Sequence, residues 1–186
     1  MEKTLTQQPS NCIKIVLFGP ESTGKTTLSR KLAEHYKTIW IPEFAREYLQ
    51  NKWDKKAVIC EPEDLLPIAK GQMLLENKAA QDANKLLFCD TDLLETKVYG
   101  EVYYDNWSNE LLSKHALSNT YDLYLLTYID TPWEADDLRD RPDQREEMFQ
   151  YFKNTLIKYN RPFIILEGSI EKRMTTAIST INKLLK

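Results

Sequence analysis

The chain has 186 residues, 42% apolar and 28% charged, with 25 basic side chains against 28 acidic and a formal charge of −3. That length suits a single domain with its own core, and the mildly acidic balance argues against a polyanion-binding surface, so no nucleic-acid partner is expected. Three scattered cysteines (Cys12, Cys60 and Cys89) and two histidines form neither a disulfide framework nor a zinc spacing, and no run approaches the ~20 apolar residues of a membrane span.

Met1 to Asn11 is polar and lacks the features of a signal or transit peptide. It reads as a flexible tail before one domain over 12–186, in a cytoplasmic protein without stable membrane association. Apolar runs at Ile13–Phe18, Thr38–Ile41, Lys85–Cys89, Asp122–Thr127 and Phe163–Leu166 predict five strands. Helix-length segments lie between them at Lys25–Tyr36, Pro62–Asn84, Thr91–Tyr104, Gln144–Tyr159 and Ile170–Leu185. Strands that alternate with helices predict an α/β fold. Its five-stranded parallel sheet carries helices on both faces, and ligands sit at the carboxyl ends of the strands. Polar residues follow each of the last four strand candidates: Glu43, then Asp90 and Asp92, then Asp130, then Glu167.

Gly19-Pro20-Glu21-Ser22-Thr23-Gly24-Lys25-Thr26 matches G-x-x-x-x-G-K-[ST], placed after a strand and before a helix as its mechanism requires. The glycines let backbone N–H groups turn inward on phosphate oxygens, and the helix adds its positive end. Lys25 is expected on the β- and γ-phosphates of ATP, the Thr26 hydroxyl on Mg²⁺, and Thr27 beside them. This is a P-loop NTPase, and its site binds nucleotide.

Three further clusters bear on the chemistry. Leu86-Leu87-Phe88-Cys89-Asp90 is an apolar strand ending in an acid, where P-loop proteins place a metal-shell aspartate; Asp90 is assigned to metal or catalytic work rather than to simple helix capping. Asp92 suits either substrate contact or a first-turn helix charge. In Pro42-Glu43-Phe44-Ala45-Arg46-Glu47-Tyr48, Glu43 and Arg46 share a helix face if one starts here, either to orient a diol or as a surface ion pair. The charged stretch 131–145 reads as a lid, with Arg139 and Arg141 as the arginines brought to the γ-phosphate and Trp133 as the first choice of an aromatic to stack on a base or pyridinium ring.

These segments together resemble the ribosylnicotinamide kinase domain of the NadR type. The resemblance rests on Gly19 to Leu28, Pro42 to Tyr48, Asp90 to Thr96, Tyr121 to Leu126, Asp130 to Arg139 and Ile165 to Ser169. It implies a nucleoside-monophosphate-kinase-like fold and transfer of the ATP γ-phosphoryl group to the 5′-hydroxyl of nicotinamide riboside. It also implies that Glu43, Arg46 and Asp92 line the riboside pocket, that Asp90 works beside the metal, and that Glu167, Gly168 and Ser169 lie near adenine. Whether Asp90 or Glu43 accepts the hydroxyl proton stays open. Longer relatives carry a DNA-binding segment and an adenylyltransferase domain before the kinase; with the P-loop starting at Gly19, neither activity is expected of this chain.

Two alternatives use the same P-loop. One is a kinase for another nucleoside or a small vitamin alcohol. The other is a nucleotide-binding switch, which the absence of an Asn-Lys-x-Asp element disfavours: the pairs Asn77-Lys78 and Asn84-Lys85 lack the aspartate.

Overall fold

A computed structural model describes residues 4–104, 107–138 and 142–186. All five expected strands form: β1 (Ile13–Phe18), β2 (Ile39–Ile41), β3 (Leu86–Asp90), β4 (Leu123–Thr127) and β5 (Phe163–Leu166). They pair in parallel in the order β2-β3-β1-β4-β5. The helices are α1 (Lys25–Tyr36), α2 (Phe44–Lys56), α3 (Leu65–Asp82), α4 (Leu93–Tyr103), α5 (Glu110–Ser118), α6 (Arg145–Lys158) and α7 (Ile170–Leu184). The expected helix over Pro62–Asn84 is divided: a 3₁₀ turn at Pro62–Asp64 precedes α3, closed by reciprocal capping between Glu61 and Asp64.

Side-chain alternation along β1 feeds two cores. Val16 and Phe18 join Leu94 and Val98 of α4 and Phe149, Phe152 and Leu156 of α6. Ile15 and Leu17 face the opposite way, onto Leu28 and Leu32 of α1 and Ala177 and Ile181 of α7. Near-continuous burial on both faces explains why these strands read as plain apolar runs, and each fully buried Leu, Ile or Phe contributes about 1.5–3 kcal/mol.

Residues 4–8, expected within a flexible tail, are instead partly docked. Leu5 is buried with Met73, Leu93 and Leu112, and Gln7 donates to Glu76 Oε1 at 2.8 Å. The apolar Leu5 side chain finds a hydrophobic seat between α3, α4 and α5, which the polar composition of the segment hides.

Candidate active site

Register brings the motifs to one edge of the sheet. Leu17 lies opposite Asp90 across the β1–β3 pair, and Phe18 lies opposite Leu126 across β1–β4. The P-loop therefore leaves β1 between the ends of β3 and β4. Gly19 passes so close to β4 that a Cβ would stand 2.8 Å from Thr127 Oγ1 and 3.0 Å from the Thr127 carbonyl, which only glycine avoids. Gly24 takes the left-handed conformation (φ 82°) at the N-cap of α1, with no side chain capping the helix. The first amides of α1 are thus left to an anion.

Lys25 curls back over the loop, donating to the Gly19 and Pro20 carbonyls at 2.7 and 3.0 Å and pairing with Glu95 at 3.2 Å. Burial alone lowers the pKa of this ammonium, but the carboxylates of Glu95, Glu43 and Asp90 outweigh it and leave it raised. Glu95, on α4, also accepts the Gly19 amide at 3.3 Å. Sequence reading missed Glu95, because a helical glutamate three positions after an N-cap reads as ordinary first-turn charge.

Thr26 donates to Asp90 Oδ2 at 2.5 Å, while Asp90 Oδ1 is buried with no hydrogen-bond partner. Burial, reinforced by Glu43, pushes the Asp90 carboxyl up to about 7 despite the opposing pull of Lys25 and the Thr26 hydroxyl. A buried carboxylate oxygen beside a hydroxyl suits a hard cation, which prefers oxygen ligands. Among the described residues no group of three or more His, Cys, Asp or Glu is placed to hold a metal. A Mg²⁺ ion held by Thr26 and Asp90 would take its remaining ligands from phosphate and water.

The residue after Asp90 explains the fate of Asp92. Thr91 adopts φ 76°, a left-handed conformation costing a β-branched residue on the order of 1–3 kcal/mol. Across that kink Asp90 lines the cleft while Asp92 is fully buried. Asp92 caps α4 by accepting from the Glu95 amide at 2.9 Å, and its second oxygen accepts from the Tyr124 hydroxyl at 2.7 Å. Burial raises its pKa to about 6. Of the two readings of Asp92, the helix charge is the one its placement supports; no cleft lining includes it.

Two connected cavities open above the loop. A cleft of about 870 Å³ runs from Glu21–Thr27 past Asp90 to Glu43, Arg46 and Asn51 of the α2 side, roofed by Thr131, Pro132 and Leu138. A narrower pocket of about 290 Å³, lined by Leu65, Ile68, Gln72, Tyr99, Tyr103 and Tyr104, adjoins it. Glu43 and Tyr99 line both. The three tyrosines were not singled out by sequence reading, since tyrosines near a helix end look like packing residues.

A family model described as "AAA domain" (AAA_28) matches residues 14–173. The chain belongs to this AAA domain family. The chain is 27% identical over 177 residues to the trifunctional NAD biosynthesis/regulator protein NadR of Escherichia coli K12, a match that covers 92% of this chain but 42% of that protein. Among solved structures, a NadR protein in complex with NR superposes with a TM-score of 0.76 at 24% identity, covering 93% of this chain and 51% of that one. A deoxyadenosine kinase from M. mycoides superposes at 0.68 and 17% identity, covering 92% and 100%. The AAA domain here thus has the P-loop, nucleoside-monophosphate-kinase-like fold.

In this AAA domain the segment from Thr131 is already tied to the P-loop. Thr131 Oγ1 donates to the Ser22 carbonyl at 2.7 Å, and the Glu134 amide donates to Ser22 Oγ at 2.8 Å. Arg145 donates to the Thr131 carbonyl at 2.8 Å and covers the Trp133 ring, 5.7 Å from its centroid. Trp133, expected as a ligand contact, packs here against Arg145 and is not among the residues lining either cavity. Arg46 reaches across the cleft to Asp136 at 2.7 Å, so it is paired with the roof segment rather than with Glu43. Ser169 caps α7, accepting from the Lys172 amide at 3.3 Å. Arg139 and Arg141 lie outside the described residues. Arg173, unmarked in the sequence, is buried and donates to the carbonyls of Thr23, Gly168 and Tyr128. No helix among the described residues is long and apolar enough to cross a membrane.

Proposed function

We propose that the chain is a cytoplasmic kinase that transfers the γ-phosphoryl group of Mg-ATP to the 5′-hydroxyl of nicotinamide riboside, giving nicotinamide mononucleotide. One observation carries this reading: the phosphate cradle of Gly19–Thr27 opens directly into a second, tyrosine-lined pocket, with Glu43 on the boundary of both. A hydrolase or switch needs no such acceptor pocket. The likeness to NadR proteins, including one in complex with NR, supports nicotinamide riboside as the acceptor that fits it.

The residues divide the work by position. The Gly24-to-Thr27 amides and Lys25 bind the triphosphate, Lys25 swinging from the loop carbonyls onto the β- and γ-oxygens. Magnesium, when bound at Thr26 and Asp90, supplies charge neutralisation to the phosphate oxygens. The roof over 131–138 excludes water, so that the acceptor hydroxyl rather than water meets the γ-phosphorus. Glu43 is the better placed proton acceptor for that hydroxyl, because Asp90 is committed to Thr26 and lines the first cavity alone. The oxygen of the 5′-hydroxyl forms the new bond to phosphorus, its proton passes to Glu43, and ADP leaves with the electrons of the broken bond. Positioning and charge supply most of the acceleration in such a transfer.

A second reading, a kinase for a different nucleoside, is favoured by the superposition on a deoxyadenosine kinase over its whole length. Turnover of ATP with magnesium against nicotinamide riboside, the common ribo- and deoxyribonucleosides, thiamine and no acceptor separates the two. Turnover confined to nicotinamide riboside and lost in Lys25→Ala is the expected result. Turnover confined to another acceptor would replace the substrate, and none with any acceptor would sink the kinase reading.

A further inference from the structure

The guanidinium of Arg173, on α7, is almost completely buried at 2% exposure and spans three segments at the carboxyl edge of the sheet. Nη1 donates to the Thr23 carbonyl at 2.7 Å, Nε to the Gly168 carbonyl at 3.0 Å, and Nη2 to the Tyr128 carbonyl at 3.0 Å while pairing with Asp130. Asp130 in turn accepts the Gly168 amide at 2.5 Å. Although burial raises the Asp130 carboxyl, the Gly168 amide and Arg173 hold it below the usual carboxylate range.

Four of the five N–H donors of this arginine are met by protein oxygens without any ligand, and one of these bonds bears on phosphate binding. A trans peptide is planar, so the carbonyl of one residue and the N–H of the next point in opposite directions. Arg173 draws the Thr23 carbonyl down, away from the cleft and towards α7. The N–H of Gly24 is thereby aimed up into the cradle. The Thr23 side chain is fixed independently, donating to the Pro20 carbonyl at 2.8 Å and contacting Thr127 Oγ1 at 2.7 Å. On the far side of that peptide, Gly24 takes the left-handed conformation (φ 82°) and its carbonyl accepts the Leu28 amide at 3.0 Å, so these bonds hold its flanks while Arg173 holds its carbonyl.

We infer that Arg173 is a positioning residue for phosphate binding: by holding the Thr23 carbonyl it orients the Thr23–Gly24 peptide so that the Gly24 amide faces the nucleotide phosphates. This rests on the cleft being a nucleotide site and is independent of which acceptor is used.

The test is calorimetric binding of two probes, the ATP analogue AMP-PNP and inorganic triphosphate, to the full chain with magnesium. Variants are Arg173→Met, Arg173→Lys and Asp130→Asn, each checked by thermal melting. Arg173→Met is expected to weaken both probes about tenfold, the scale of one hydrogen bond to a charged group. Arg173→Lys keeps a donor for Thr23 and should recover most of that loss. Asp130→Asn removes the far end of the clamp and should lower the melting temperature while leaving triphosphate affinity within about threefold of wild type. The Gly24 amide resonance should shift on adding triphosphate to wild type and shift less in Arg173→Met. Should Arg173→Met fail to fold, Arg173→Gln, which keeps a polar head and loses the Nη1 donor to Thr23, takes its place in the comparison with Asp130→Asn. Unchanged affinities in Arg173→Met would overturn the inference, as would a loss for AMP-PNP without one for triphosphate. Equal losses in Asp130→Asn and Arg173→Met would reduce Arg173 to a structural brace and overturn it too. Normal AMP-PNP binding by a protein that phosphorylates no acceptor would remove the kinase reading while leaving this comparison intact.

Discussion

Thr26 Oγ1 donates a 2.5 Å hydrogen bond to Asp90 Oδ2, joining the first turn of α1 to the end of β3. The two residues are 64 positions apart, and the β1–β3 register brings them together. Their contact leaves the other Asp90 oxygen buried without a hydrogen-bond partner, close to the Thr26 hydroxyl.

That pair is expected to separate catalysis from stability. Asp90→Asn keeps the shape of the side chain and removes the buried charge whose pKa is pushed up to about 7. Its kcat should fall on the order of 10²–10³-fold, as for loss of one group that stabilises transition-state charge. The melting temperature of the metal-free protein should stay level or rise, because burying that carboxylate is itself unfavourable. Steady-state kinetics and a thermal melt on the same preparation check both. A kcat within about threefold of wild type would remove Asp90 from the chemistry.

Lys25 and Glu95 form a second buried relationship, and it predicts an unusual ordering of variants. Lys25→Met leaves Glu95 buried beside Glu43 and Asp90 without its counter-charge, so it should destabilise the protein by about 3–5 kcal/mol. Adding Glu95→Gln removes that uncompensated charge. The double variant Lys25→Met/Glu95→Gln should therefore be more stable than Lys25→Met alone, although both are inactive. Chemical denaturation of wild type, both single variants and the double variant measures the coupling. A double variant less stable than Lys25→Met would show that Glu95 serves the Gly19 amide more than Lys25.

The sheet was legible because β1, β3 and β4 are buried on both faces and leave unbroken apolar runs, and β5 keeps such a run although only Leu166 is fully buried, so β1 and β5 fall where expected. The P-loop was legible because its chemistry fixes residue types at fixed spacing. Among the helices, α2 was raised only conditionally, through Glu43 and Arg46, and α5 was not foreseen. No residue of α2 is buried, so it carries no strong apolar stripe; α5 is a nine-residue helix with a buried face of Leu112, His115 and Ala116. The site was only half readable for a related reason. Arg173 looks like surface charge until the Thr23 carbonyl is seen beneath it, and Asp92 looks like a site residue until the Thr91 kink turns it inward. The contact between Trp133 and Arg145 was not legible either, because Arg145 arrives from a different element.

Arg46 and Asp136 connect α2 to the roof across the open cleft, with Arg46 about half exposed. An exposed pair of this kind contributes roughly 0–1 kcal/mol to folding. Arg46→Ala and Asp136→Asn should therefore melt within a few degrees of wild type. Both should raise the acceptor KM several-fold, to a similar extent, if the pair keeps the roof over the acceptor, and the double variant should be no worse than either alone. The effect should shrink in high salt, where exposed charges are screened. Additive KM changes in the double variant would mean that the two residues contact substrate separately.

Asp64 gives the clearest dependence of stability on pH away from the reacting groups. It accepts from Lys52 at 2.5 Å, from the Glu61 amide at 2.8 Å and from the Tyr48 hydroxyl at 3.0 Å, tying α2 to the start of α3. Burial alone raises its pKa, but the bonds from Lys52, Glu61 and Tyr48 outweigh that and hold it below the model-compound value of 3.8. With the folded pKa below the unfolded one, the unfolded chain binds the proton more readily. The stabilisation is therefore fully present above pH 3.8 and is lost as the pH falls through the folded value. Asp64→Asn should cost about 1–3 kcal/mol at neutral pH, the range for leaving a buried charged group's partners unsatisfied. The difference between wild type and variant should be flat from about pH 8 to 5 and narrow below about 4. Denaturant titrations at a series of pH values measure it. A gap that persists unchanged into strong acid would mean that Asp64 acts through shape rather than charge.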